Sequence, residues 1–378
     1  MHATRFLRSG YRTVVKPILF RHDPEEVHER MVRVGVFLGR HPTARALTSA
    51  MFAYRHPALE QEILGIRFRN PVGLAAGFDK NAQLVNILPS VGFGFEEIGS
   101  VTGEPCPGNP KPRVWRLPQS KALLVYYGLM NDGCIAAAKR LQGKKFIFPI
   151  GTSIAKTNSP HTLSLEAGIA DYVKAARTLA DIGDYLTVNI SCPNAYGGEP
   201  FTDPMRFDAL MAALDEVQTQ KPVFIKLPAE ITVEHMDALL DIAGRHRIHG
   251  WIPSNLVKDR NNPHLAPSEI QGKDHGGISG VPVREPSNEI ISHIYRRAGK
   301  RYLIIGCGGI FSAEDAYEKI IRGASLVQLI TGMIFEGPQL IGEINRGVTA
   351  LLRRDGFSHI SQAIGSKYAN EPIDSPLP

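Results

Sequence analysis

The segment Asn189–Asn194, with the sequence NISCPN, carries side chains well suited to chemistry. Each asparagine offers both a hydrogen-bond donor and an acceptor, which matches the imide edge of a pyrimidine-like ring. Cys192 lies between the two asparagines, and a deprotonated thiol can act as a general base. A buried free cysteine is often only a small hydrophobic residue, but the position between two amides favours a catalytic role. We therefore expect Asn189, Cys192 and Asn194 to form a reaction centre.

Two lysines are candidates for binding an anionic or electron-rich group. Lys226 lies inside the apolar run PVFIKL, where an unpaired ammonium group would be costly. It therefore needs a partner, for which an electron-rich cofactor ring is suitable. Lys80 follows Ala75, Ala76 and Gly77 in the segment GLAAGFDKN, where a flat ring could lie against the backbone. A lone loop lysine can also be solvated and small residues can serve packing alone, so both interpretations of this segment stay open.

Glycine-rich segments follow three consecutive predicted strands. They are GGISG (276–280), GCGG (306–309) and LITG (329–332). Glycine lets a backbone approach an anion closely, and the loops after strands seven and eight of an α/β barrel are a common phosphate site. One such segment could simply end a strand, but three together indicate a phosphate-bearing cofactor. Asn255, at the end of the sixth predicted strand, is a further candidate to face the ring.

The elements that must position these residues alternate short apolar runs with longer amphipathic stretches. Helical spacing of apolar residues marks 166–183, and 203–220 and 337–356 are similar. Eight such units predict a (β/α)₈ TIM barrel, in which active sites lie at the carboxyl ends of the strands. An open, doubly wound sheet is the competing fold. The eight predicted strands are 70–77, 95–101, 146–154, 184–191, 222–227, 250–255, 302–309 and 325–331.

The N-terminal part differs in kind from the barrel. Residues 23–40 have an Asp-Pro start, acids in the first turn and an arginine in the last, which predicts a helix. This helix could pack on the barrel, or it could form a hydrophobic lid or interfacial helix, aided by the basic residues before Asp23. We expect a helical extension over 1–65, a barrel over 66–365 and a disordered, proline-rich tail over 366–378.

Bulk properties exclude several classes of protein. The chain has 378 residues, 43% of them hydrophobic, and a net charge of +6 without the clustered basic and aromatic residues of nucleic-acid binding. Its four cysteines lack CxxC spacing, so we expect free thiols and no metal site. No apolar run approaches the roughly 18 residues of a membrane-spanning helix. A peripheral membrane contact fits the basic N-terminus better than a transit peptide does.

Motifs in a fixed order resemble those of the dihydroorotate dehydrogenase family, from about residue 16 to residue 365. The DPEEVHERM stretch (23–31) and the N-terminal helices are similar to the membrane-associated, quinone-using class, which implies a hydrophobic tunnel to the flavin. The motifs are NPVGLAAGFDKN (70–81), FEEIGSVT (95–102), GNPKPRVWRLP (108–118), NISCPN (189–194), GGISGVPV (276–283), IIGCGGI (304–310) and GASLVQL (323–329).

The resemblance implies a function in pyrimidine biosynthesis. A base removes a proton from C5 of dihydroorotate while a hydride leaves C6 for the flavin, and a quinone then reoxidises the flavin. Cys192 would be the base, assisted by Lys80. Substrate would contact Lys80, Gly128, Leu129, Asn189, Asn194 and Asn255, while His28 and Arg116 would lie on the quinone side. FMN would be held by Ala75, Ala76, Gly77, Ser100, Ser153, Asn189, Lys226, Ser254, Gly280, Gly308, Gly309, Ile330 and Thr331.

The chain also departs from the family pattern. The quinone-using class has serine at the position of Cys192, whereas the soluble class has cysteine. Val125 stands where the family has an asparagine that binds the substrate carboxylate. Losing one hydrogen bond to a charged group costs roughly 1.5–3 kcal/mol, which would weaken orotate binding without forbidding it. Several coordinated losses are what a changed substrate would produce, so a related FMN-dependent enzyme with another dihydropyrimidine-like or unsaturated substrate is the alternative. The other departures are Leu129 for phenylalanine, Ser153 for asparagine, Leu256 for serine or threonine, and Ile330 for tyrosine.

The expected location is the membrane surface. A bacterial cytoplasmic membrane face fits better than the mitochondrial inner membrane, because the transit-peptide signal is weak.

Overall fold

The computed structural model describes residues 2–370, with side chains from residue 6. The chain begins with α1 (His2–Gly10), a π-helical turn (Tyr11–Val15) and α2 (Lys16–Leu19). Two longer helices follow, α3 (Pro24–Arg40) and α4 (Pro42–Phe52). The helix predicted over 23–40 is confirmed, and the Asp23 side chain caps it by accepting hydrogen bonds from the backbone N–H groups of Glu25 and Glu26. Within the described residues no helix is long and apolar enough to cross a membrane.

Helix α3 has two faces with different surroundings. Val27 and Val32 are buried against the rest of the molecule, while Met31, Val34 and Phe37 are exposed. One face of the helix therefore packs on the rest of the molecule, as the first interpretation expects. The other face is apolar and exposed, and its role as a lid or interfacial helix stays a prediction.

Eight parallel strands close into a barrel in sequential order, which confirms the (β/α)₈ architecture and excludes the open sheet. All eight predicted strands are present, and all but the second are shorter than predicted. They are β1 (Val72–Leu74), β2 (Phe95–Thr102), β3 (Ile150–Ala155), β4 (Tyr185–Asn189), β5 (Val223–Lys226), β6 (Gly250–Ile252), β7 (Leu303–Cys307) and β8 (Leu326–Leu329).

The strands are buried along their whole length because helices cover the outer face and side chains fill the inside. Phe95, Tyr185 and Phe224 fill the lower part of the barrel, with the Tyr185 and Phe224 ring centroids 5.0 Å apart. A short antiparallel pair, Gln61–Ile63 and Ile66–Phe68, precedes β1. Phe68 of this pair packs edge-on against Phe95.

Helices follow the strands around the barrel. Ser164, Asp203 and Thr232 cap the helices after β3, β4 and β5 through their side-chain oxygens. The helices predicted near 166, 203 and 337 are α7, α8 and α14. The full set is α5 (Leu88–Val91), α6 (Cys134–Leu141), α7 (Leu165–Leu179), α8 (Pro204–Asp215), α9 (Val233–Ala243), α10 (Pro267–Ile270), α11 (Arg284–Ala298), α12 (Ala313–Ile321), α13 (Thr331–Glu336), α14 (Leu340–Arg354) and α15 (Ile360–Ala363).

A three-stranded antiparallel sheet lies over the carboxyl end of the barrel. Its strands are Val114–Leu117, Ala122–Val125 and Gly277–Gly280. The segment GGISG, interpreted from sequence as a glycine-rich strand end, is thus largely a strand itself. Glycine is required at Gly280, where φ is +92° and a Cβ would lie 2.3 Å from the Lys121 carbonyl oxygen.

The C-terminal segment departs from the expected disorder at its beginning. Ser366–Tyr368 forms a 3₁₀ turn, in which Lys367 pairs with Glu318 at 2.9 Å and the Tyr368 ring lies 6.3 Å from that of Tyr295. Residues 371–378 of the predicted tail lie outside the described part of the chain.

Candidate active site

A single cavity of about 1060 Å³ begins at the carboxyl ends of the barrel strands and continues between the N-terminal helices. It gathers residues that are far apart in the sequence but were predicted to act together. Of the predicted site residues, all but Ser153 line it: His28, Ala75, Ala76, Gly77, Lys80, Ser100, Arg116, Gly128, Leu129, Asn189, Cys192, Asn194, Lys226, Ser254, Asn255, Gly280, Gly308, Gly309, Ile330 and Thr331.

Ser153 lies behind the cavity wall and reaches it only through another residue. Its hydroxyl is 2.8 Å from that of Ser100, which in turn accepts a hydrogen bond of 2.8 Å from the Asn189 side-chain amide. Asn189 Oδ1, in the same side chain, accepts from the backbone N–H and the hydroxyl of Ser191 at 3.1 and 2.8 Å. Ser100 therefore lies between Ser153 and the cavity, and the short Ser153 side chain does not reach the position where direct contact with the cofactor was expected. Instead, the hydrogen bonds from Ser153 through Ser100 orient the Asn189 side chain.

Two polar side chains on the barrel face of the cavity have no partner within the described chain. The Lys226 ammonium group is buried and forms no hydrogen bond or ion pair there. The Ser254 hydroxyl is buried without a hydrogen bond. Unpaired buried polar groups are costly, so both call for a ligand. An electron-rich heterocycle lying across this face would satisfy them, and the residues present therefore fit a flavin ring.

The loops after β7 and β8 leave backbone N–H groups free at the edge of the same face. Gly308 and Gly309 have φ values of +115° and +71°, and within the described residues their N–H groups donate to no carbonyl oxygen. The Thr331 hydroxyl lies 2.8 Å from that of Ser279. Free amides and hydroxyls at this position suit a phosphate group, as the sequence predicted.

Cys192 is half-buried in the loop after β4. Burial raises the pKa of its thiol to about 11, although a hydrogen bond from the Asn194 backbone opposes the shift. The neighbouring amides are fixed by backbone contacts. The Asn194 side chain donates to the Val125 carbonyl oxygen at 2.9 Å, and that of Asn255 donates to the Ser191 carbonyl oxygen at 2.7 Å. The Asn255 amide also donates to the Ser191 hydroxyl at 3.1 Å, so its side-chain oxygen is the group left for a ligand, whereas Asn194 keeps both its side-chain oxygen and a second hydrogen.

Lys80 is buried, contrary to the solvated position that a lone loop lysine would usually have. Its ammonium nitrogen lies 3.9 Å from the centre of the Tyr127 ring, a cation–π contact. Burial lowers the pKa of Lys80 to about 8, and the Glu25 carboxylate opposes this shift. Burial, reinforced by the Lys80 charge, lowers the pKa of His28 to about 3, so its imidazole is neutral.

The part of the cavity between the helices is apolar. Its polar atoms are few, and Arg116 is held there by a 2.7 Å hydrogen bond to the His22 carbonyl oxygen and by the Phe20 ring, 4.7 Å from its guanidinium carbon. The apolar lining includes Phe6, Val14, Leu19, Val27, Met31, Leu47 and Met51.

Apart from Ser153, the residues that depart from the family pattern face the cavity. Val125, Leu129 and Leu256 line it, and Leu129 has a φ of +59°. They lie beside the asparagines, so this end is more apolar than the sequence resemblance alone would imply.

Three functional candidates were missed by sequence reasoning. The Tyr127 ring makes the cation–π contact with the Lys80 ammonium group. Glu25 and Arg113 form a buried ion pair, 2.7 Å between Nη2 and Oε1. Glu25 looked like an ordinary first-turn acid. Only the run PKPRV (110–114), in which Arg113 directly precedes the strand Val114–Leu117, could have drawn attention to Arg113.

An α/β barrel whose cavity gathers unpaired polar groups, free loop amides and a half-buried cysteine at the strand ends fits the class of flavin-dependent oxidoreductases. Comparison with known proteins narrows this class. The model of the dihydroorotate dehydrogenase family matches residues 58–352, and the chain belongs to this family.

Relatives cover almost the whole chain. A Gloeobacter violaceus protein named dihydroorotate dehydrogenase (quinone) is 39% identical over 357 residues, 94% of this chain and 99% of that protein. A Corynebacterium glutamicum protein of the same name is 36% identical over 96% of this chain and 97% of its own length. The crystal structure of an Eimeria tenella DHODH in complex with ferulenol covers 92% of this chain and 96% of its own, with a TM-score of 0.81 and 26% identity.

Proposed function

We propose that this protein oxidises dihydroorotate to orotate, a step of pyrimidine biosynthesis, with FMN as its cofactor and a quinone as electron acceptor. One observation carries the proposal. The cavity joins a polar face at the strand ends to an apolar passage between the N-terminal helices, so that a polar substrate and an apolar oxidant can reach the same ring. The two relatives described above bear the name of this quinone-dependent activity.

FMN, when bound, supplies a two-electron acceptor for the hydride that leaves C6 of the substrate. Lys226 and Ser254, which lack partners, would contact its ring. Ala75, Ala76 and Gly77 would lie against the flat face of the ring. The free amides of Gly308 and Gly309, with Gly280, Ile330 and Thr331, would hold the phosphate.

Cys192 would remove the proton from C5 of the substrate. The side chains of Asn189, Asn194 and Asn255 surround the same part of the cavity and would orient the pyrimidine ring. Lys80 would pair with the substrate carboxylate, together with the loop at Gly128 and Leu129. Because its charge is held on the Tyr127 ring and not by a carboxylate at bonding distance, Lys80 can accept an anionic partner.

The N-terminal helices would hold the quinone and contact the membrane. Phe6, Phe37 and Leu47 are more than 60% exposed, at 79%, 62% and 63%. Exposed apolar patches of this kind mark interaction surfaces, and basic side chains in α1 and α2 would favour anionic lipid. His28 and Arg116 would lie beside the quinone. We infer a peripheral location at the cytoplasmic face of a bacterial membrane.

An anaerobic titration tests the proposal. The purified protein should be yellow, and dihydroorotate should bleach it in preference to other dihydropyrimidines, such as dihydrouracil, that lack the carboxylate. A flavin that stays oxidised with dihydroorotate would overturn the substrate assignment.

A second candidate is an FMN-dependent dehydrogenase or reductase with a different dihydropyrimidine-like or unsaturated substrate. The apolar side chains of Val125, Leu129 and Leu256 at the substrate end of the cavity favour it. The double variant Val125→Asn/Leu256→Thr would then bind orotate in titrations of the flavin absorbance, whereas the parent protein would not. Tight binding of orotate by the parent removes this candidate.

A further inference from the structure

The buried ion pair between Glu25 and Arg113 joins two parts of the molecule that are 88 residues apart in the chain. Glu25 belongs to the first turn of α3, and its side chain is 4% exposed. The Arg113 guanidinium group donates from Nη2 to Glu25 Oε1 at 2.7 Å and from Nε to Glu25 Oε2 at 3.1 Å. Lys111 adds a longer contact of 3.4 Å to the same carboxylate. A paired fork of this kind fixes the orientation of both side chains.

The remaining donor group of Arg113 holds the loop that precedes the three-stranded sheet. Its Nη1 donates to the carbonyl oxygens of Pro107 and Asn109, at 2.8 and 2.9 Å. The loop is packed tightly against this group, because a Cβ at Gly108 would lie 2.6 Å from Nη1. The position of Glu25 therefore sets the position of residues 107–109.

Asn109 passes this constraint to both sides of the substrate end of the cavity. Its side-chain amide donates to the Asn194 carbonyl oxygen at 3.0 Å, in the loop that carries Cys192. Its backbone N–H donates to the Tyr127 carbonyl oxygen at 3.0 Å, and the Tyr127 ring carries the Lys80 ammonium group.

Asn158 closes the network of hydrogen bonds around this loop. Its side-chain amide donates to Asn109 Oδ1 and to the Gly128 carbonyl oxygen, each at 3.0 Å. Its Oδ1 accepts from the Tyr196 backbone N–H at 2.7 Å. The loops that hold Asn194, Tyr127 and Gly128 are thus tied to one another and, through Arg113, to α3.

We propose that Glu25 is a positioning residue for the substrate end of the cavity, acting through Arg113 and Asn109 on the Cys192 loop and on Tyr127. The N-terminal helical extension then has a role in the reduction of the flavin by the substrate as well as in its reoxidation by the quinone. The identity of the substrate in this inference rests on the proposed function, but the geometry of the loops does not.

The test measures the order of the Cys192 loop without substrate. The experiment uses the FMN-loaded protein. Cys192 is half-buried, while Cys106, Cys134 and Cys307 are buried. The rate of its alkylation by iodoacetamide, located by peptide mass, should rise roughly 5- to 10-fold in Glu25→Gln, as expected for coupling between linked sites. Glu26→Gln makes the same chemical change at the next, exposed position and should leave the rate unchanged.

A double-variant cycle identifies the route of the coupling. Asn109→Ala should raise the alkylation rate by a similar factor, and adding it to Glu25→Gln should give little further increase, because both remove the same constraint. Orotate affinity, followed by the flavin absorbance, should fall in both variants, whereas the rate of flavin reoxidation by a quinone should not change.

Two outcomes would overturn the inference. One is an alkylation rate in folded Glu25→Gln equal to that of the parent; the other is full additivity with Asn109→Ala. If Glu25→Gln does not accumulate with bound FMN, the same criteria apply to Glu25→Asp, which keeps the charge and shortens its reach. A parent protein that fails to bind orotate would contradict the proposed function alone, since alkylation requires no substrate.

Discussion

The cavity has a floor, formed at the strand ends by Ser100, Asn189, Lys226 and Ser254, and a roof, formed by α1 to α4. The floor is buried, and its polar groups either support one another or lack a partner. The roof is apolar, and several of its side chains, such as Phe6 and Phe37, are largely exposed. A rigid polar floor suits a bound cofactor and a polar substrate. A partly exposed apolar roof suits an apolar oxidant, so we expect reduction of the flavin to depend on the floor and its reoxidation to depend on the roof.

Removal of the Cys192 thiol, at the substrate end of the cavity, should have the largest effect on flavin reduction. In Cys192→Ala, reduction of the flavin by dihydroorotate should slow by about 10²- to 10⁴-fold, because proton removal loses its base. Reoxidation by quinone should keep the parent rate, since the roof is intact. Stopped-flow absorbance measures both rates. Cys134→Ala, outside the cavity, is the control, and an unchanged reduction rate in Cys192→Ala would show that another group is the base.

A change of pH should alter the rate of flavin reduction by dihydroorotate almost as strongly as the Cys192→Ala substitution does. The pKa of Cys192 is raised to about 11, so below that pH the thiolate fraction, and with it the reduction rate, should rise about 10-fold for each pH unit. Lys80, with a pKa lowered to about 8, loses its charge above that pH, and substrate affinity should then fall. Reduction rates that stay constant from pH 6 to pH 9 would contradict the thiolate as base.

The unpaired ammonium group of the floor should determine flavin affinity. Lys226→Met keeps the length of the side chain and removes its charge, so FMN should bind about 10- to 100-fold more weakly, as for the loss of a bond to a charged group. Fluorescence of released flavin measures this affinity. Lys145→Met changes an exposed lysine and should have no effect; equal affinities in the two variants would place the flavin elsewhere.

The smallest effect on chemistry should come from the outer surface of the roof. Phe37→Ser should lower cosedimentation with anionic phospholipid vesicles, while flavin reduction stays unchanged and stability changes by only about 0.5 kcal/mol. Leu163→Ser removes an exposed apolar side chain of similar exposure, 51%, from the barrel surface and should leave cosedimentation unaffected. If both variants sediment like the parent, the roof does not contact the membrane through α3.

Floor and roof also differ in how far the sequence predicts them. The barrel strands could be recognised because burial on both faces demands continuous apolar runs, and Lys226 stands out in such a run. The position of Ser153 in a strand was predicted, but residue type does not reveal that Ser100 lies between Ser153 and the cavity. The sheet formed by 114–117, 122–125 and 277–280 was missed, because its strands are short and half of the residues of 277–280 are glycine.

The other features of the site that the sequence does not predict depend on contacts between residues far apart in the chain. Glu25 has a sufficient local explanation as an acid in the first turn of a helix, so nothing in the sequence indicates its pairing with Arg113. The burial of Lys80 depends likewise on Tyr127, which belongs to a different loop.

Sequential mixing without oxygen tests most directly whether the substrate reduces the flavin at the floor and a quinone reoxidises it through the roof. The FMN-loaded protein is first mixed with dihydroorotate and then with a quinone, with fumarate or with a nicotinamide cofactor. We expect dihydroorotate to bleach the flavin and the quinone to restore its colour far faster than either soluble oxidant. A bleached flavin that fumarate or the nicotinamide reoxidises as fast as the quinone would contradict a quinone passage through the roof.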